Sequence, residues 1–235
     1  MMKILSSKLL KFFYGIILIP FCYTIFVVFI FVLQNIEFSN RFVIIFFGGC
    51  GTYIILHFLL YKPVRLYVIG HELMHTISAL LCGAKVANVK VKKNSGSVNV
   101  NKVNTFIALS PYFVPIYSVF LIIIWGILKY VLKFEIKVEI FIFLLGMSIM
   151  FHLVLTFYAI SVGQTDFNVS GWLFSLITIF IVNVIVLTSV IVILFPINKS
   201  YKEIVDKIYF ETKISYIKTY DLIKNTLNYF LKAER

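Results

Sequence analysis

Residues 71–75 read His-Glu-Leu-Met-His inside VIGHELMHTISALLCG, a segment that is otherwise largely apolar. Each of the three ionisable side chains costs free energy to remove from water unless a partner compensates it. On a helix, positions i and i+4 share one face about a turn apart. His71 and His75 can therefore hold a single Zn²⁺, and Glu72 stands close enough to take a proton from water on that ion. With 4 His and 10 acidic residues in 235, a chance match to the three fixed positions is expected in fewer than roughly one in a hundred such chains. The competing reading is a polar cluster that bonds neighbouring helices.

A catalytic zinc site normally takes three protein ligands and leaves one position for water. Asp166, His152 and His57 are the candidates for the third. Asp166 lies in SVGQTDFNVSG, where Gly163 and Gly171 bracket a polar stretch expected to unwind. His152 precedes it by 166 − 152 = 14 residues, about 21 Å along a continuous helix, so both reach one ion only if the helix breaks between them. A carboxylate lowers the net charge of the site and suits a His₂-acid set, which favours Asp166. His152 then supports the ligands, packs, or steadies a tetrahedral intermediate if its helix is irregular. His57 reads as a hydrogen-bonded packing residue.

The elements that must carry these groups are membrane-length. Hydrophobic residues make up 61% of the chain and charged ones 14%, with a mean hydropathy of +0.98, more apolar side chain than a soluble domain of this size can cover. Runs of about 20 apolar residues span a bilayer. Six such runs can be drawn, near 13–33, 42–60, 64–82, 105–132, 138–162 and 172–195, with Lys and Arg between them or at their ends. The expected class is an all-α polytopic membrane protein of about six transmembrane helices, with a small β-hairpin between the third and fourth. The basic, apolar start lacks a small-x-small cleavage site and reads as a retained first span. Cys22, Cys50 and Cys82 show no C-x-x-C spacing and read as packing residues. The net charge of +12 is spread over loops and tail without base-stacking motifs, so it points to anionic lipid of the bilayer and not to nucleic acid.

Four regions follow. Residues 1–62 form an accessory transmembrane hairpin, in which Gly48, Gly49 and Gly51 permit close helix packing. Residues 63–175 form the core, containing the hairpin 84–103, where valines alternate around a turn at Lys93-Asn94-Ser95-Gly96; it is either a solvated connector or an edge strand for an extended substrate. In the core's SPYFVP, Pro111 and Pro115 should kink or break a helix. Residues 176–198 complete the last span, and 199–235 form a basic amphipathic tail suited to a membrane surface or a partner.

GHELMHTISALLCGAKV, the NSGSV of the hairpin and GQTDFNVSG resemble, in order and spacing, the core of the site-2 protease family of intramembrane zinc metallopeptidases, over residues 64–175. The resemblance implies zinc bound by His71, His75 and Asp166, with Glu72 catalytic and a membrane-protein or membrane-peptide substrate. Met74 stands where the family usually has Gly, and the usual N-P-D-G around the aspartate is absent. The alternative is a non-catalytic zinc-binding membrane factor, closed by His152 as a fourth ligand; a metal transporter would need polar groups along several spans. The expected location is a bacterial plasma membrane. With six spans and the amino terminus inside, the hairpin's Lys85, Lys90, Lys92, Lys93 and Lys102 fall outside, against the positive-inside rule, whereas the family's site usually opens to the cytoplasm.

Overall fold

The structure is a computed structural model and describes residues 2–59, 63–92 and 95–233. Eight helices are described: α1 (Met2–Gln34), α2 (Arg41–Leu59), α3 (Val64–Leu81), α4 (Thr105–Phe113), α5 (Ile116–Gly126), α6 (Val138–Val162), α7 (Trp172–Leu194) and α8 (Tyr201–Ala233). The strands β1 (Val86–Val91) and β2 (Gly96–Val100) separate α3 from α4, and a 3-10 turn at Thr165–Val169 separates α6 from α7. The chain divides into two compact units, Phe38–Ser170 and Met1–Glu37 with Gly171–Arg235.

Four helices are long and apolar enough to cross a membrane: Lys8–Gln34, Arg41–Leu59, Val138–Val162 and Trp172–Leu194. A fifth crossing is possible if α4 and the helix Ile116–Val131, bent by 70° at their junction, count as one. The six expected spans are thus four or five. The difference lies in α3, which is not among them because Arg65, His71, Glu72 and His75 dilute its apolar content. Pro115, expected to break its helix, stands at the α4–α5 junction, whereas Pro111 lies within α4.

In the Phe38–Ser170 unit, α2 and α6 run side by side in the same direction. Arg41 pairs with Glu139 at their starts, and further along the Tyr53 and Phe151 rings meet at 5.5 Å. Two glycines make the close approach possible, because a Cβ at Gly49 would strike the Phe143 carbonyl and one at Gly146 the Phe46 carbonyl. Cys50 Sγ donates to Gly146 O at 3.3 Å in the same crossing. Gly48 and Gly51 have open space where a side chain would go. Cys50 is buried as a packing residue, but Cys82 is exposed at the end of α3.

The core's site-bearing elements are fixed by local chemistry. Helix α3 ends in a Schellman motif, with Gly83 at φ +67 and Ala84 N donating to Ala79 O at 2.8 Å. Asn104 caps α4 by accepting from Ile107 N at 2.8 Å. The hairpin pairs antiparallel, Val89 with Val98 and Val91 with Gly96, with an irregularity between Val86 and Asn88. Lys93 and Asn94 of its expected turn lie outside the described residues, as does Lys62. Val86 and Val100 anchor the sheet on a buried cluster of Ala79, Ala84 and Ile107, which ties α3, the hairpin and α4 together.

In the other unit, the expected amphipathic tail is the helix α8, and it lies along α1. Ser215 and Thr24 hydroxyls meet at 3.0 Å, and Tyr216 donates to Ile17 O at 2.8 Å. The ends of α1 and α7 meet at an Ile36–Ile197 bridge.

Candidate metal centre

One turn of α3 brings His71 and His75 together, their Nε2 atoms 3.1 Å apart. Each ring is oriented by a bond at its other nitrogen. Tyr67 Oη lies 3.2 Å from His71 Nδ1, and His75 Nδ1 donates to Ile107 O at 2.8 Å. A carbonyl only accepts, so the proton of a neutral His75 sits on Nδ1 and its Nε2 presents a bare lone pair. That carbonyl is free to accept because Pro111, four residues on in α4, has no N–H to donate to it. The proline of SPYFVP thereby serves a ligand and does not merely bend a helix.

Asp166 arrives from the far side of the unit's sequence on the 3-10 turn after α6. Gly163 at φ +71 and Gly171 at φ +84 let the backbone leave and rejoin helix around it. Its Oδ2 lies 3.3 Å from His71 Nε2 and 3.4 Å from His75 Nε2. The carboxylate also accepts from Tyr112 Oη at 2.7 Å. Burial alone would raise the Asp166 carboxyl, but with no cation between the ligands, protons carried on the inner nitrogens of His71 and His75, together with the Tyr112 hydroxyl, hold it well below the ordinary carboxylate range.

His71, His75 and Asp166 form the one group among the described residues with metal-ligand geometry, all three ligand atoms lying within 4.8 Å of one another. Around a tetrahedral ion with bonds of about 2.0–2.1 Å, ligand atoms stand roughly 3.3–3.4 Å apart. The observed edges of 3.1, 3.3 and 3.4 Å form such a face. Three electron-rich atoms at this spacing repel one another unless a proton or a cation lies between them. The residues present therefore fit a metal ion, and the set of two imidazoles and one carboxylate fits zinc.

The triangle borders a cavity of about 220 Å³, lined by Glu72, Ala108, Val103, Gln164, Thr165 and the β2 residues Gly96, Ser97, Val98 and Val100 among others. Glu72 is buried at its wall. Gly96 makes this possible, since a Cβ there would lie 2.5 Å from Glu72 Oε1. The cavity has room for a water molecule between the triangle and the Glu72 carboxylate.

His152 and His57 are not brought to this point. His152 is buried behind His71, and the two border a small cavity of about 20 Å³ with Tyr67, Gly70 and Tyr117, but His152 is not in the metal-ligand group. His57 meets Tyr53 Oη at 3.3 Å on the wall of an apolar groove of about 470 Å³ between α2, α5 and α6. The groups that the sequence reading missed are Tyr67, Tyr112 and the Ile107 carbonyl. Tyr67 carried a signal, standing four residues before His71 on the same helical face. Tyr112 and Ile107 carried none beyond the unexplained prolines beside them. Comparison of the chain with family models, with curated proteins and with solved structures gives no match.

Proposed function

We propose that this chain is an intramembrane zinc metallopeptidase of the site-2 protease type, hydrolysing peptide bonds within or near transmembrane segments of its substrates. The observation that carries the reading is the convergence of His71, His75 and Asp166 on one triangle, with the Glu72 carboxylate across an open cavity from it. A purely structural site would be closed by a fourth protein ligand, and the residue that could have closed it, His152, is not in the group of ligand atoms that lie within 4.8 Å of one another.

In this reading a zinc ion, when bound, polarises the scissile carbonyl and acidifies a water molecule. His71 and His75 act as neutral ligands, the second held in that tautomer by Ile107 O. Glu72 takes the proton from the attacking water and delivers it to the leaving amine, so no covalent bond to the enzyme is needed. The strand β2 borders the cavity, and its outer edge can bond the main chain of an opened substrate segment.

The location in this proposal is a bacterial plasma membrane, with the apolar helices crossing it.

The test is metal analysis and proteolysis on the purified full chain in detergent, against a panel of transmembrane-segment peptides read by mass spectrometry. Wild type holds one zinc per chain and cleaves. Glu72→Gln keeps the zinc and loses hydrolysis by about 10²–10⁴-fold, the contribution of a positioned general base. Absence of stoichiometric metal from wild type, or undiminished cleavage by Glu72→Gln, overturns the reading.

A further inference from the structure

Of the three ligand side chains, Asp166 is the most exposed, at 22% against 8% and 12% for His71 and His75. It also stands on the least regular backbone, a single 3-10 turn between two glycines with positive φ. The histidines are fixed by their shared helix. Something else must fix the aspartate.

Tyr112 meets that requirement. It is completely buried in α4, and its hydroxyl donates to Oδ2 of Asp166 at 2.7 Å. That is the same oxygen that faces both imidazoles. The ring is held from two sides, edge-on to His71 with centroids 5.1 Å apart and tilted against Phe167 at 5.0 Å. Phe167 is itself fully buried and adjoins Asp166 in sequence. One rigid side chain thus touches two of the three ligands and the anchor of the turn that presents the third.

We propose that Tyr112 is a positioning residue for the metal, holding the Asp166 carboxylate at the distance from His71 and His75 that an ion requires. The inference rests on the metal-site reading above. Tyr112 does not line the cavity of about 220 Å³, so it touches no substrate and its hydroxyl is not a catalytic group. Its bond is a charge-assisted one, a neutral O–H donating to an ionised carboxylate. It reduces the freedom of Asp166 before binding and draws some charge from the ligand oxygen afterwards. Partners of this kind, hydrogen-bonded to a ligating group, typically carry 10–100-fold in metal affinity.

Tyr112→Phe is the discriminating variant, because it keeps the ring against His71 and Phe167 and removes only the hydroxyl. The measurement is zinc affinity of the full chain in detergent by competition with a chromogenic chelator, with Co²⁺ absorption as a second readout of ligand geometry. The expected result is about 10–100-fold weaker zinc binding and altered Co²⁺ bands. In the Asp166→Ala background the same change should cost nothing further, since the hydroxyl acts through the missing carboxylate. Wild-type affinity in Tyr112→Phe, or an equal loss with and without Asp166, overturns the positioning role while leaving the metal site standing. No zinc or cobalt binding by wild type overturns both.

Discussion

The groove between α2, α5 and α6 encloses about 470 Å³ and the cavity beside Asp166 about 220 Å³, yet the smaller one holds the groups able to do chemistry. Both have polar side chains in their walls, and the difference is in where those side chains aim. In the groove each is turned onto another protein group: Tyr117 Oη donates to Leu66 O, Ser148 meets Ser118 at 2.8 Å, and His57 meets Tyr53. What faces the space is apolar. In the smaller cavity the outer nitrogens of two imidazoles are consumed by Tyr67 and Ile107, which leaves the inner ones aimed at one carboxylate oxygen. Satisfied polar groups build a wall, whereas polar groups supported from behind and aimed at a common point build a site.

The sharpest way to break this contrast is to remove the four histidines one at a time. His71→Ala and His75→Ala should each weaken zinc binding by more than the 10–100-fold typical of a supporting partner. His57→Ala and His152→Ala should each leave stoichiometric zinc on the purified chain. Metal content by mass spectrometry after dialysis decides it. Loss of zinc from His152→Ala as complete as that from His75→Ala would merge the cavity behind His71 with the site and revive the closed four-ligand alternative.

A smaller effect is expected where β2 meets Glu72. In Gly96→Ala the new Cβ would lie 2.5 Å from Glu72 Oε1, so the carboxylate must move away from its place opposite the metal triangle. A displacement of about 1 Å in a catalytic group can cost about 10²-fold, and hydrolysis should fall by about 10–100-fold with zinc retained. Turnover measured beside metal content separates this from a ligand defect. Unchanged turnover in Gly96→Ala would mean that the close approach of hairpin and helix is packing alone.

How much of this was legible in the sequence follows from the range over which each signal acts. The His71–His75 pair was readable because i and i+4 are neighbours on any helix, and the hairpin because alternating valines around a Ser-Gly turn act within a few residues. Charge already favoured Asp166 over His152 and His57, but the meeting of its carboxylate with the two imidazoles depends on tertiary packing. Pro111 shows the limit plainly. Its consequence, a carbonyl left free on Ile107, follows from sequence, while the identity of the acceptor's new partner depends on how α4 lies against α3. The count of spans failed for a related reason. A run of membrane length around 64–82 looked like its neighbours, but the polar residues of the candidate metal centre, with Arg65, remove α3 from the helices apolar enough to cross. Of the three glycines in α2, only Gly49 meets α6 closely, because one helical face is all that a crossing uses.

The mildest expected effect concerns the larger space. Leu144 is 41% exposed and lines the groove, on a helix apolar enough to lie in the bilayer. In a water-soluble core, Leu→Ala would cost about 2–5 kcal/mol, much of it for the cavity left behind. In a bilayer-spanning α6 the vacated volume would be open to hydrocarbon, and lipid tails are as apolar as leucine, so little transfer energy is lost. Leu144→Ala should therefore change thermal stability in liposomes by no more than about 0.5 kcal/mol and leave zinc content and turnover unaltered. A loss of turnover comparable to that of Gly96→Ala would show that the groove takes part in the reaction, and the division between wall and site drawn from the two cavities would fail at its larger member.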